Sequence, residues 1–319
     1  MVHASEIAAE ESALVAVKSR ESGHGPQFSG ASLRCMRASR VLLSLLASSS
    51  ACATGPSPAS APAPAAAISP PPPPAPLPPP TAPLPPAAQP PEISPAIRAA
   101  VDAPDRSEAD RALDAGRHPA ELLAFAGVAP GMRVAELQAG GGYTAELLAR
   151  AVGPAGKVYG QNSRFVLERF AAKPWAERLA KPALANVVRV DRELEDPVPP
   201  EAAGLDAVFL VLFYHDAVWQ KVDRPRMNAA IFRALKHGGR FVVIDHSARV
   251  GRGIGDAEAL HRIDEGVVRD EVQAAGFRLA AEGAFLRNPD DPRDWNASPR
   301  AAGDKRGTSD RFALVFEKP

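Results

Sequence analysis

"RVAELQAGGGYTAELLARAVGP", residues 133–154, decides the fold. A short apolar run ends in an acid, Glu136, and three consecutive glycines, Gly140, Gly141 and Gly142, follow within six residues. Tyr143, Leu147, Leu148 and Ala151 then recur on one side of a helix. A buried strand that turns through glycines straight into a helix is the first unit of a parallel α/β sheet. Glycines at that turn let the backbone approach a ligand closely, and the helix beyond offers free N–H groups. The dinucleotide spacing G-x-G-x-x-G does not fit, because Gln138 and Ala139 stand ahead of the cluster and Thr144 and Ala145 behind it. The stretch reads as a cofactor loop of another kind, with a tight structural turn as the alternative.

Outward from the loop, helix and strand alternate. "SEADRALDAGRHPAELLAFAGVAPG" predicts helices ending near Gly127, "GKVYGQN" a second strand and "NVVRV" a third. "RFVLERFAAKPWAERLA" is mostly helical with a break at Pro174. "LDAVFLVLFYHD" is apolar enough to be a central fourth strand. "RMNAAIFRALKHGG" is a helix with a glycine stop, and "RFVVIDHS" a fifth strand. Near the end, "GFRLAAEGAFLRNP" and "DRFALVFEKP" are strand-like runs with only a loop between them. A loop joins antiparallel strands, whereas parallel ones need a long crossover, so an antiparallel pair is expected at the sheet edge. The predicted class is α/β: a doubly wound, mostly parallel seven-stranded sheet with an antiparallel C-terminal hairpin, over residues 93–319.

The rest of the chain is different in kind. Of 34 prolines, 18 lie between Pro56 and Pro91, and such a tract cannot pack a core. Residues 54–92 are read as an extended polyproline II spacer reaching on the order of 100 Å; a ligand for an SH3-type domain is the alternative. Before it, "MRASRVLLSLLASSSACATG" has the basic, apolar and small-residue order of a secretory signal over residues 36–53, too short for a membrane span. It also resembles a bacterial lipoprotein signal with Cys52 as the acylated residue; cleavage after Ala53 is the alternative. Residues 1–35 stay unassigned, with Met36 as a candidate start. The domain is therefore expected to be exported, periplasmic or lipid-anchored, touching a membrane only through Cys52, with a cytoplasmic location as the alternative. The two cysteines, Cys35 and Cys52, both precede the spacer, so the folded part has neither disulfide nor thiolate metal site. Lys+Arg and Asp+Glu both number 37, which argues against a general nucleic-acid binder.

An acid at the first strand, "PAGKVYGQN", "DAVFLVLFYHD" and "ALKHGGRFVVID" follow in order. This succession, closed by the hairpin, resembles the class I S-adenosylmethionine-dependent methyltransferases over roughly residues 105–319. "YHDAVW", "IDHSA", "LHRIDE", "FLRNPDDPRDW" and "SDRFALVFEKP" resemble a narrower bacterial group of methyltransferases, some with export signals. The resemblance implies a Rossmann-like methyltransferase fold, S-adenosyl-L-methionine as cofactor and a small-molecule methyl acceptor. It implies that Glu136 and the backbone of Ala139, Gly140, Gly141 and Gly142 face the methionine part. Asn162 stands where an acid holds the ribose hydroxyls, and Glu193, with Asp191 close behind it, matches the adenine-side acid. Gln138 and Asn162 are two departures within one site, which implies weaker or altered cofactor binding.

Methyl transfer needs a positioned acceptor and, for some acceptors, a base. His215, Tyr214 and Asp216 follow the fourth strand, and Asp245 and His246 end the fifth, so all would look into one crevice. Either histidine suits a base, and Tyr214 could orient the acceptor; capping of strand ends is the alternative. His261 and Asp264, three apart on an expected helix, would share a face. Arg287, Asn288, Arg293, Asp294 and Trp295 form a loop that either grips an acceptor or locks itself by Arg–Asp pairing. His215, Asp216, His246 and His261 have the chemistry of metal ligands, but no spacing enforces a site and none is expected. A non-catalytic envelope module that kept the fold, and a metal-dependent hydrolase, are the competing functions.

Overall fold

A computed structural model of the protein describes residues 92–319. Residues 1–35, the leader with Cys52 and the spacer up to Pro91 lie outside the described residues. Seven strands form one sheet: β1 (Arg133–Leu137), β2 (Lys157–Asn162), β3 (Val187–Asp191), β4 (Leu205–Val211), β5 (Leu235–His246), β6 (Arg278–Gly283) and β7 (Arg311–Glu317). Their order is β3-β2-β1-β4-β5-β7-β6, the Rossmann-like methyltransferase architecture expected from the sequence. β1 to β5 are parallel, and β7 runs antiparallel between β5 and the edge strand β6.

Both faces of the sheet are buried because successive side chains point to opposite sides. On β4, Val208 and Leu210 join one core with Phe241 and Phe316, while Ala207 and Phe209 join the other with Val242 and Ile244. The chain leaves β1 toward β2 on one side and returns as β4 on the other. That reversal opens a crevice at the carboxyl ends of the strands.

Three local expectations are revised. Residues Leu167–Ala171 form a π-helical turn, and Pro174 sits in the first turn of the helix that follows, Ala172–Leu179, rather than ending it. Near a helix start, the missing proline N–H is tolerated. The helix read as running to the glycine stop ends at Ala234, and β5 begins at Leu235 beside Leu205. The single helix expected through "LHRIDE" is interrupted. His261 takes a left-handed backbone, φ 50°, after Ala257–Leu260, and Asp264 caps the next helix, Glu265–Ala274. His261 and Asp264 therefore share no helical face.

Candidate functional site

The glycine loop is built by the β2 end. Gln138, at the position where a glycine is usual, has φ 52° and so occupies the left-handed region that favours glycine. Polar contacts hold it there. Its N–H donates to Gln161 Oε1 at 3.0 Å, and its own Oε1 accepts from the Ser163 N–H at 3.1 Å and hydroxyl at 3.2 Å. Asn162 is fully buried and points at the loop: its Oδ1 accepts from Gly140 N at 2.8 Å and its Nδ2 donates to Gly140 O at 3.2 Å. The residue matched to the ribose acid thus holds the loop in shape, with one N–H and one lone pair of its buried amide spent on Gly140. Gly140 and Gly142 both have positive φ, for different reasons. A Cβ on Gly142 would stand 2.3 Å from the Trp175 ring, whereas a Cβ on Gly140 would meet nothing within 4 Å. On Gly141 it would make an ordinary contact with Pro174, and Ala139 is buried in the core beneath.

Glu136 lies buried under the loop, and its Oε2 has no hydrogen-bond partner. Burial pushes its carboxyl up to about 8, against the opposing pull of a Thr144 hydrogen bond and the nearby Arg117 charge. The Arg117 guanidinium stacks 4.5 Å from the centre of the Tyr143 ring, whose hydroxyl donates to Asp114 at 2.6 Å. Sequence reasoning missed Arg117 and Arg311, which both border a small enclosed space beside Tyr143 and Thr144. Burial lowers both guanidinium groups, Arg311 to about 10.

Alongside the loop, a cavity of about 280 Å³ is walled by Gln138, Ser163, Phe165, Glu193, Trp219 and Gln220, at the carboxyl ends of β1 to β4. The side-chain nitrogens of Gln138 and Gln220 are buried without a partner. Buried donors cost free energy when unpaired. Glu193 lines this cavity and its carboxylate accepts from Arg164 N, while Asp191 is taken up by Arg189 at 2.8 Å. A larger hollow of about 490 Å³, lined by Ala99, Arg150 and Asn186, carries none of these strand-end groups.

Past β4 the chain turns sharply at Leu212, φ 58°, into a short helix, Tyr214–Trp219. Gln138, Leu212 and His261 are three of the six non-glycine residues with positive φ among the described residues. The turn sends Tyr214 away from the crevice. It is fully buried, its hydroxyl donating to Glu271 at 2.8 Å and accepting from Asn228 at 2.9 Å. An acceptor-orienting role for Tyr214 is corrected to a core anchor, because both ends of its ring are enclosed.

His215 does face the strand ends. Its Nδ1 is 2.6 Å from Asp245 Oδ1, and its N–H donates to Asp245 Oδ2 at 2.8 Å. Its Nε2 is 3.1 Å from Asp216 Oδ1 and 3.2 Å from His261 Nδ1. Burial alone would lower His215, but Asp245 and Asp216 outweigh it and push the ring up to about 10. Burial, followed by the His215 charge, holds His246 well below the ordinary histidine range. The Nδ1 of His246 contacts Ser309 Oγ at 2.7 Å, and its ring centre lies 5.7 Å from that of His215. Trp219 connects this cluster to the cavity: it lines the wall, and its indole N–H donates to Asp216 Oδ1 at 2.6 Å.

No family model matches the chain. Among solved structures it is similar to an S-adenosylmethionine-dependent methyltransferase from Aquifex aeolicus, at 18% identity and TM-score 0.47, over 69% of this chain and 97% of that one. A candidate sarcosine dimethylglycine methyltransferase from Galdieria sulphuraria is 18% identical with TM-score 0.46, over 68% and 89%. A TehB-like S-adenosylmethionine-dependent methyltransferase from Corynebacterium glutamicum is 15% identical with TM-score 0.40, over 70% and 94%. The likeness is one of fold.

The loop between β6 and β7 is locked. Arg262, fully buried, pairs with Asp291 at 2.8 Å and stacks 4.7 Å from the Trp295 ring, whose N–H donates to Asp291 at 2.7 Å. Arg293 pairs with Asp310 at 2.7 Å, Asp294 with Arg249 at 3.2 Å, and Arg287 with Glu265. Asn288 is held by Asp310 through its N–H at 2.8 Å. Of the two readings of this segment, the Arg–Asp lock is the one its contacts describe.

Proposed function

We propose that the protein is an S-adenosyl-L-methionine-dependent methyltransferase acting on a small molecule. One observation carries this reading: a cavity at the strand ends, next to the glycine loop, is walled by the amides of Gln138 and Gln220, the Glu193 carboxylate and the aromatic rings of Phe165 and Trp219. Those groups suit an adenosine, whose ring has flat faces and acceptor nitrogens. Glu193 offers the matching acceptor at the rim. Glu136, with one oxygen free, suits an ammonium group beyond the loop. The cofactor, when bound, supplies a methyl group activated on a sulfonium.

The residues around the crevice would position the acceptor and hold its proton. His215 is held between Asp245 and Asp216 with both ring nitrogens taken, and is not the base expected of it. His246 is neutral at pH 7, and among the described residues no hydrogen bond reaches its Nε2, so it takes the proton-accepting role in this proposal. The narrower bacterial group and the tether at Cys52 belong to the same proposal, and both rest on the sequence segments alone.

Titration calorimetry of the full chain with S-adenosylmethionine and S-adenosylhomocysteine tests the reading. One-to-one binding that is lost in Gly140→Val, with the circular dichroism of the fold retained, supports it. Absence of binding at millimolar ligand overturns it and favours a module that kept only the fold.

A further inference from the structure

The three atoms His215 Nε2, His261 Nδ1 and Asp216 Oδ1 form a nearly equilateral triangle, with edges of 3.2, 3.1 and 3.1 Å. We propose that they are a binding site for a divalent transition-metal ion of the zinc class. This goes beyond methyl transfer and does not depend on it.

The geometry matches what such an ion requires. Ligands about 2.0–2.1 Å from a four-coordinate zinc stand roughly 3.3 Å apart, and a six-coordinate ion brings adjacent ligands to roughly 3.0 Å. An ion at that bond length would sit about 1 Å out of the plane of the triangle, touching all three atoms from one side. Two imidazoles and one carboxylate on one face are the donor set that suits zinc and its first-row neighbours and leaves further positions open.

The surroundings complete a metal site rather than a chance contact. Asp245, fully buried, takes the Nδ1 of His215 at 2.6 Å and thereby aims Nε2 into the triangle. A carboxylate on the far nitrogen of a ligating histidine orients the ring and raises its basicity. Trp219 fixes the Asp216 oxygen from outside with its N–H, at 2.6 Å. His261 reaches the triangle only because its backbone is held left-handed at φ 50°, between Ile263 N–H donating to His246 O at 2.9 Å and the loop from Asp256. The side chains of Asp216 and His261 keep 19% and 24% of their surface open, so water or an acceptor oxygen can reach the remaining positions. With Trp219 shared between cluster and cavity, an ion there would stand beside the cavity proposed for the cofactor and could polarise an oxygen ligand in its open positions.

The experiment is metal titration of untagged full-length protein stripped with a chelator. Zinc is followed by calorimetry and elemental analysis, and cobalt by its visible ligand-field bands. We expect one ion per chain, a tetrahedral or five-coordinate cobalt spectrum, and at least a tenfold loss of affinity in His261→Gln. Asp245→Asn should cost ten- to a hundredfold, and His237→Gln, exposed at the far end of the sheet, should change nothing. Should His261→Gln fail to fold, Asp216→Asn replaces it. No stoichiometric ion in the native protein, or binding that survives these ligand substitutions, overturns the proposal. Cofactor titrations on the same protein report separately, so failure of the methyltransferase reading leaves the metal result standing.

Discussion

Glu136→Gln should make the protein more stable, and the gain should grow with pH. The native carboxyl is raised from 4.5 to about 8 by burial. Its folded-state value lies above the unfolded one, so its contribution to stability is complete below about pH 4.5 and is lost as pH rises through about 8. A shift of about 3.5 units at roughly 1.4 kcal/mol each sets an upper limit near 5 kcal/mol for the cost of ionising this group in the fold. Glutamine keeps the shape without titrating. It should also keep a partner for Thr144, while Arg117 loses a weak electrostatic neighbour and takes back part of the gain. Urea unfolding monitored by tryptophan fluorescence, with Trp175 fully buried as reporter, should put native and variant within about 1 kcal/mol at pH 5. At pH 9 the variant should lead by about 2–5 kcal/mol. A difference that stays flat from pH 5 to 9 would refute the reasoning, because only this residue's titration distinguishes the two proteins. If Glu136 is kept for a ligand's ammonium group, the same variant should bind S-adenosylmethionine more weakly while being the more stable protein.

Gly142→Ala should destabilise by about 2–5 kcal/mol in urea, combining a left-handed Cβ with a clash against Trp175, whereas Gly140→Ala should cost only about 1–2 kcal/mol. Asn162→Asp should weaken cofactor binding in calorimetry instead of tightening it, because a carboxylate oxygen would replace the amide donor facing Gly140 O. Arg178→Met removes the partner of Asp110 and Glu146, two acids that burial would raise but that Arg178, Arg150 and Lys181 hold below their ordinary values. It should cost about 3–5 kcal/mol at pH 7. In the native protein that stability is present above about pH 4 and is lost as pH falls through the lowered folded-state values, so the variant's deficit should shrink in acid urea melts. Mass spectrometry of the native chain should find Cys52 as a lipidated first residue; an unprocessed cytosolic terminus refutes the tether.

Local pattern determined the sheet. The central strands β1, β4 and β5 bury both faces, so "VAEL", "DAVFLVL" and "FVVID" are mostly apolar runs, and a strand that meets glycines and then a helix has one common use. The last two strands were readable as antiparallel because no crossover separates them, although β7 enters beside β5 and leaves β6 at the edge. The turn through Gly140 and Gly142 was readable from the glycine cluster, since backbone with positive φ favours glycine. Roles set by distant partners were not. Tyr214 and His215 are neighbours in sequence, yet Leu212 turns one into the core toward Glu271, 57 residues away, and the other toward Asp245. Asn162 carries no local sign that Gly140, 22 residues earlier, shares its amide and is held by it. His215 and His261 stand 46 positions apart, and no spacing rule joins them. Strands follow from which side chains must leave water, a property each residue carries with it. The direction a polar side chain takes depends on which donor or acceptor the folded chain brings within about 3 Å, and only the tertiary structure decides that.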